Sequence, residues 1–428
     1  MSDFNVNQIV QSTGLPDNMN YELKKAGVGA VSKRILYPST QTSYSGNSST
    51  TISIPISTGT PGQYLDPSQS YLSFRITNNT ATAADPPVNQ TVKLDGNCNC
   101  VFRRYELYSN NGSNQIKDCI GYNVLYNMMM DAQVNKDERK NYMGLMMGTT
   151  DTTAGEQLVA GGNKLFNTNL LCGFMNGDKY LPLGAIKSGD LELRFSLEDA
   201  QTALKTGNAA HIPGYTITDV NFVGQIVELD SENERLVQLS SGGVFAWGGE
   251  EFLNHNTSLA AANSQNVLVP FNKGSLKGIY TCMRETEYLT AVDKLSLGGR
   301  QKNTLSQYQY QIGSQMVPPV PINCSDISLV CSELLRSFHS IDQPSGGIIN
   351  ATNFIVENED NGGTFMIGTE LENFSNKDDV LQSGTDTTSS TIYFKGQFTG
   401  GNASRYDFFG MYDCIYIVDE MGNLDIRS

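Results

Sequence analysis

Residues 177–201 read GDKYLPLGAIKSGDLELRFSLEDAQ. The second half alternates without a slip. Leu191, Leu193, Phe195 and Leu197 fall on one side of a period of two, and Glu192, Arg194, Ser196 and Glu198 on the other. Successive side chains of a strand point to opposite faces, so this pattern predicts a strand with one face in a core and the other in water. It is entered through Tyr180-Leu181-Pro182-Leu183 and a glycine-bearing turn at Lys187-Ser188-Gly189-Asp190.

The same texture extends on both sides. Thr51 to Ile56 places three Ile on one face, and Pro55, which cannot donate to a ladder, marks an edge or a bulge. Tyr71 to Ile76 alternates, as does Val101 to Tyr108, which closes on the hairpin-type turn Asn110-Asn111-Gly112. Ile217, Val220, Phe222, Ile226 and Leu229 supply a further strand. One segment differs. Asp118 to Asp131 has helical length and spacing, with Asp118 as N-cap and Ile120, Leu125 and Met129 among its apolar positions. Its Met cluster reads as adaptable core packing. Residues 144–163 read as loop, and Ser240-Ser241-Gly242-Gly243 as a linker.

Landmarks then recur in the same order. Tyr308 to Ile312, followed by Gly313-Ser314-Gln315, repeats the strand and turn that run into Gly112-Ser113-Asn114. Ser325 to Phe338 is a second helix, with Ser325 as N-cap and Leu329 and Leu334 in its apolar face. IGTELEN (367–373) echoes LRFSLED (193–199), and Ile415 to Asp419 echoes Ile226 to Asp230. Ordered recurrence over half a chain implies two similar consecutive domains. The expected organisation is an arm at 1–33, a first domain at 34–240 and a second at 250–428. Each half holds strands, long Gly/Asn/Ser/Thr loops and one inserted helix. Antiparallel two-sheet packing suits that pattern, and the eight-stranded jelly roll is one form of it. The fold class is therefore all-β, two consecutive jelly rolls with an extended N-terminal arm.

The totals agree. The chain has 428 residues, enough for more than one core, and only 17% charged residues. Net charge is −15, which argues against direct packing on nucleic acid. The eight Cys are scattered without a CxxC pair and read as reduced, mostly buried thiols of a protein made in the cytosol. No basic-then-apolar leader and no run of 18 apolar residues is present, so neither a signal peptide nor a membrane span is expected.

Three blocks carry a family resemblance. NNGSNQIKDCIGYNVLYNMMMDA (110–132), KYLPLGAIKSGDLELRFSLEDA (179–200) and YQYQIGSQMVPPVPI (308–322) resemble segments of the double-jelly-roll major capsid proteins of icosahedral double-stranded DNA viruses, in the virophage, Polinton-like and large eukaryotic virus group. The resemblance covers about residues 34–428. It implies a homotrimer whose six jelly rolls form a pseudo-hexagonal capsomer, tiling a virion shell with neighbouring capsomers, penton and minor capsid proteins. It also implies an arm beneath the shell. Lys24, Lys25, Lys33 and Arg34 make that arm mildly basic and suit contacts with an inner membrane, a minor capsid protein or a neighbouring capsomer. Shell assembly, not trimer formation, is then expected to need residues 1–30.

No catalytic set, cofactor site or metal site is expected. Glu250-Glu251 and Glu370-Glu372 read as solvated surface. Gly298-Gly299-Arg300 lacks the spacing of a phosphate loop, and no G-x-S-x-G elbow occurs. The alternatives are a two-domain jelly-roll protein that binds or cleaves glycans, against which the sole Trp247 counts, and a minor capsid protein, against which the duplication counts.

Overall fold

The structure is a computed structural model that describes residues 29–83, 88–171, 173, 179–341, 347–354, 363–373 and 382–428. Of the 23 strands among the described residues, sixteen build the main sheets, in two sets of eight. The first set is β1 (Ala30–Pro38), β2 (Thr51–Ile56), β3 (Gln63–Asn78), β4 (Phe102–Ser109), β5 (Asn114–Ile120), β6 (Asn163–Thr168), β7 (Leu191–Leu197) and β8 (Tyr215–Leu229). The second is β9 (Phe245–Leu259), β10 (Ser264–Val269), β11 (Leu276–Glu285), β12 (Leu305–Ile312), β13 (Gln315–Asn323), β14 (Ile367–Glu370), β15 (Ile392–Phe398) and β16 (Ser404–Val418).

All these strands pair antiparallel, in the orders β1-β8-β3-β6 and β2-β7-β4-β5, then β9-β16-β11-β14 and β10-β15-β12-β13. The second set repeats the first position for position. Each is a jelly roll: two four-stranded main sheets face each other, and chain-consecutive strands mostly lie on opposite sheets. Short extra strands, Ser43–Ser45 and Leu424–Arg427, extend the two larger sheets.

The alternation read at Leu191 to Leu197 is realised as β7. Leu191, Leu193, Phe195 and Leu197 are fully buried. Phe195 stands beside Tyr105 of β4, ring centroids 5.4 Å apart, and Phe102 bridges to Phe74 on the opposite sheet at 4.8 Å. The second sandwich repeats this device: Phe394 of β15 stands beside Tyr310 of β12, also at 5.4 Å, and meets Phe408 of the opposite sheet at 5.6 Å. Offset and edge-on ring contacts add specificity to the area they bury. Pro55 lies in β2, an edge strand, where its missing donor costs no ladder bond. Asn110, Asn111 and Gly112 all take left-handed φ in the β4–β5 turn.

Three helices matter here: α1 (Tyr122–Gln133), α2 (Ser231–Ser241) and α3 (Ile327–Ser337). α1 and α3 occupy the same place in the two halves, between the fifth and sixth strands. α1 holds Leu125 and Met129 in the core, buried with the helix's whole length from Tyr122 to Ala132. α3 buries Val330, Leu334 and Ser337 and leaves Leu329 half exposed. Phe338 caps its C-terminal end and stacks on Tyr280 with centroids 4.9 Å apart.

Several sequence expectations are corrected. Asp118 is not an N-cap, and Ile120 is not helical: both belong to β5, where Asp118 faces out and binds Arg104 through two bonds of 2.7 and 2.6 Å. The helix begins after Gly121, whose left-handed φ of 73° turns strand into helix. Ser325 also lies one position too early, since Asp326 is the cap residue of α3. The echo of β7 is β15, not residues 367–373. β7 and β15 pair with the equivalent strands β4 and β12, whereas Ile367–Glu370 is β14, the counterpart of β6. Strand β1 starts at Ala30, so Lys33 and Arg34 are sheet residues, not arm residues. Lys33 sits opposite Ile226 and forms a diagonal ion pair with Glu228, and Arg34 sits opposite Gln225. β9 starts at Phe245, ahead of the expected boundary at 250, and the linker is the end of α2 followed by Gly242. Lys24 and Lys25 lie outside the described residues.

Candidate functional site: the seam between the two sandwiches

A dense set of buried polar contacts lies where the two sandwiches meet. It begins with Asp95, in the β3–β4 loop. Its carboxylate has no exposure and accepts hydrogen bonds from the backbone N–H groups of Ser296 (2.7 Å), Leu297 (2.9 Å) and Gly298 (2.7 Å), in the β11–β12 loop. Consecutive N–H groups wrapped on one anion form a nest. Gly298 is required there, because a Cβ would lie 2.3 Å from Thr153 O. The glycine-bearing run examined in sequence as a phosphate loop thus does hold an anion, and the anion is the chain's own carboxylate. Lys205 stands 3.8 Å away; burial lowers its pKa while Asp95 pulls the other way.

Beside the nest, Asp131 at the end of α1 is clamped by two guanidinium groups. Arg139 Nη1 lies 2.5 Å from Oδ1, and Arg300 Nη2 2.5 Å from Oδ2. All three residues are at most 2% exposed. Arg139 also donates to Thr150 O and Thr152 O, and Arg300 to Leu297 O. The backbone follows: Ile348 N–H donates to Asp131 O, and Thr206 N–H to Val292 O.

Midway along the seam, Lys117 of β5 binds Glu251 of β9 at 2.9 Å and also donates to Phe252 O. Burial works against the Lys117 charge, but Glu251 beside it prevails and raises the ammonium's pKa. Glu251 is itself 1% exposed and accepts from Gly173 N–H and Tyr416 OH. Near the other end, Lys187 N–H donates to Gly422 O. The reading of Glu250-Glu251 as solvated surface therefore fails for Glu251. The two face opposite sides of β9, and only Glu250 looks outward, towards Lys277. Pairing across domains leaves no local signature, so no sequence signal marked Asp95, Asp131, Arg139 or Arg300. Lys117 was hidden too, because β5 buries Lys117 and Cys119 and turns Ile120 outward, the reverse of what its apolar residues suggest.

The seam matches corresponding loops. The β3–β4 loop of the first sandwich meets the β11–β12 loop of the second, its equivalent. Asp131, at the end of α1, meets Ile348, which follows α3. The two sandwiches therefore stand side by side with their loops at the same end.

Two clefts flank it. At the loop end, a polar one of about 670 Å³ is lined by Lys93, Asp151, Thr152, Lys205, Asp293 and Asn353, with no aromatic side chain among the described residues. At the opposite end, an apolar one of about 780 Å³ is lined by Tyr64, Leu229, Val237, Val244, Phe245 and Trp247. Chain entry lies beside it, since Ala30 pairs with Leu229.

The thiols behave as buried apolar groups. Cys119, Cys282, Cys324 and Cys414 are free, and burial pushes each up to about 12. Among the described residues no helix is long and apolar enough to cross a membrane.

No protein-family model matches the chain, and no curated protein matches it. Solved structures do. The chain is similar to the quasi-atomic model of the PBCV-1 virus capsid, with TM-score 0.63 and 12% identity over 95% of this chain and 99% of that one. It is similar to the Faustovirus major capsid protein, with TM-score 0.64 and 10% identity over 95% and 93%. It is also similar to the mavirus major capsid protein, with TM-score 0.55 and 9% identity over 97% and 94%. The fold is that of the double-jelly-roll capsid group.

Proposed function

We propose that the chain is a major capsid protein, three copies of which form a capsomer that tiles a virion shell. The observation that carries this reading is the orientation of the sandwiches. Two similar blocks stand side by side, loops at one end, locked by buried ion pairs and by backbone N–H groups on a buried carboxylate. A rigid pair of this kind, repeated three times about an axis, closes a ring of six upright sandwiches, and closed cyclic symmetry is the common outcome of heterologous contacts. The fold shared with capsid proteins supports it over nearly the whole chain.

Exposed apolar side chains supply contact area. Val320 is 72% exposed, Tyr142 79% and Leu145 74%. Exposed apolar side chains of this size are suited to burial between copies. Contacts with neighbouring capsomers, penton and minor capsid proteins fall to the rims and to the end where the chain enters β1. For the glycan-directed alternative, the polar cleft offers no aromatic platform among its described lining residues, and Trp247 of the apolar one stacks on Tyr416.

Negative-stain images of the purified protein test this. Particles viewed down their axis should show a hexagonal outline with six lobes. Two-lobed particles of a single chain would overturn the reading.

A further inference from the structure

The second sandwich carries a convergence of ligand-type side chains outside the seam. His339 follows α3, in a left-handed conformation with φ of 51°. Glu370 ends β14, on which α3 packs, and Glu372 lies two residues beyond. One nitrogen or oxygen from each of the three lies within 4.8 Å of the others.

The two carboxylates are held from behind. Glu370 Oε2 accepts from Arg336 Nε at 2.6 Å, which leaves Oε1 facing His339 Nδ1 at 3.6 Å. Glu372 Oε1 accepts from Ser383 Oγ and lies 3.1 Å from Lys277 Nζ. Glu372 Oε2 is different. Its side chain has no exposure, this oxygen accepts no hydrogen bond, and it points at His339 Nε2. A buried carboxylate oxygen set against an imidazole nitrogen is repulsive unless a proton or a cation lies with them.

We propose that His339, Glu370 and Glu372 bind a divalent transition-metal ion, Zn²⁺ being the probe of choice. An imidazole nitrogen with two carboxylate oxygens is a nitrogen–oxygen set of the kind Zn²⁺ takes. Mg²⁺ and Ca²⁺ prefer oxygen alone. Arg336, Ser383 and Lys277 orient the ligating carboxylates through their second oxygens, as outer partners do in metal sites. His339 is 21% exposed, which gives the ion an entrance and a water-filled fourth position. Binding displaces any proton held between Nε2 and Oε2. The ion ties the end of α3 to the end of β14 and so clips the helix to an edge strand.

The test uses the full chain freed of metal by chelator and dialysis. Calorimetric titration with ZnCl₂ should show one saturable site per chain, and Co²⁺ should give the visible absorption of a low-symmetry site. Zn²⁺ should also raise the melting temperature. His339→Asn and Glu372→Gln should each weaken binding at least tenfold and abolish the Zn²⁺ effect on melting, while His211→Asn should change neither. His339 is at the surface, so its variant is expected to fold even where Glu372→Gln does not. Absence of saturable binding, or binding that survives His339→Asn, overturns the proposal. So does a melting temperature that responds to pH but not to Zn²⁺, because the contact then holds a proton only.

Discussion

At the scale of single residues, burial decides what each charge does. Glu198 leaves β7 towards the core and accepts from Asn123 Nδ2 at 3.0 Å. Burial pushes its carboxyl above the ordinary value of 4.5. Between its unfolded and folded values the folded chain binds more protons, so this group's contribution to stability falls as pH rises through that interval. Glu198→Gln removes the effect. Urea unfolding should find the variant more stable than the parent at pH 7, with the gain shrinking towards pH 4. A gain that grows on acidification would reverse the sign argued here. The sequence showed Glu198 only as the polar partner of an alternating run. A period of two tells which face a side chain takes, but not whether another element covers that face. The same limit hid Glu251 and Glu372, both read as solvated.

At the scale of elements, strands were legible and junctions were not. β7 stood out because Leu191, Leu193, Phe195 and Leu197 all face one core. The turn at Asn110-Asn111-Gly112 stood out because those residues tolerate left-handed backbone. The start of α1 was misread because Cys119 and Ile120 carry the apolar texture of the helix back into β5. No side chain caps α1; the left-handed Gly121 makes the change of direction alone. Gly121→Ala tests this. Its Cβ would meet Asn254 and Phe409 at ordinary contact distances of 3.5 Å, so the cost is conformational. Chemical denaturation should show a loss of about 1 kcal/mol. A neutral result would mean that the left-handed turn is not needed there. The misplaced echo of β7 has a similar cause. IGTE alternates as IYFKGQF does, and only pairing with β12 distinguishes the counterpart of β7 from that of β6.

At the scale of the molecule, the duplication was readable from the order of its landmarks, and the seam was not. Asp95 and Gly298, or Asp131 and Arg300, lie far apart in sequence; Asp95, Gly298 and Arg300 belong to loops without a periodic pattern, and the pattern of α1 does not say what Asp131 meets. Yet these pairs convert two sandwiches into one block. Asp131→Ala strips two buried guanidinium groups of their counter-charge. The expected loss is roughly 3–5 kcal/mol, and because Asp131 joins both sandwiches, calorimetry should show one unfolding transition splitting into two. A single transition at unchanged temperature would mean that the block is held by other contacts.

The central claim is that this block is one third of a capsomer, and the mass in solution tests it most directly. Light scattering behind a sizing column should return one species of roughly 140 kDa, a closed cyclic trimer. A stable species at the 46.8 kDa of a single chain would contradict it.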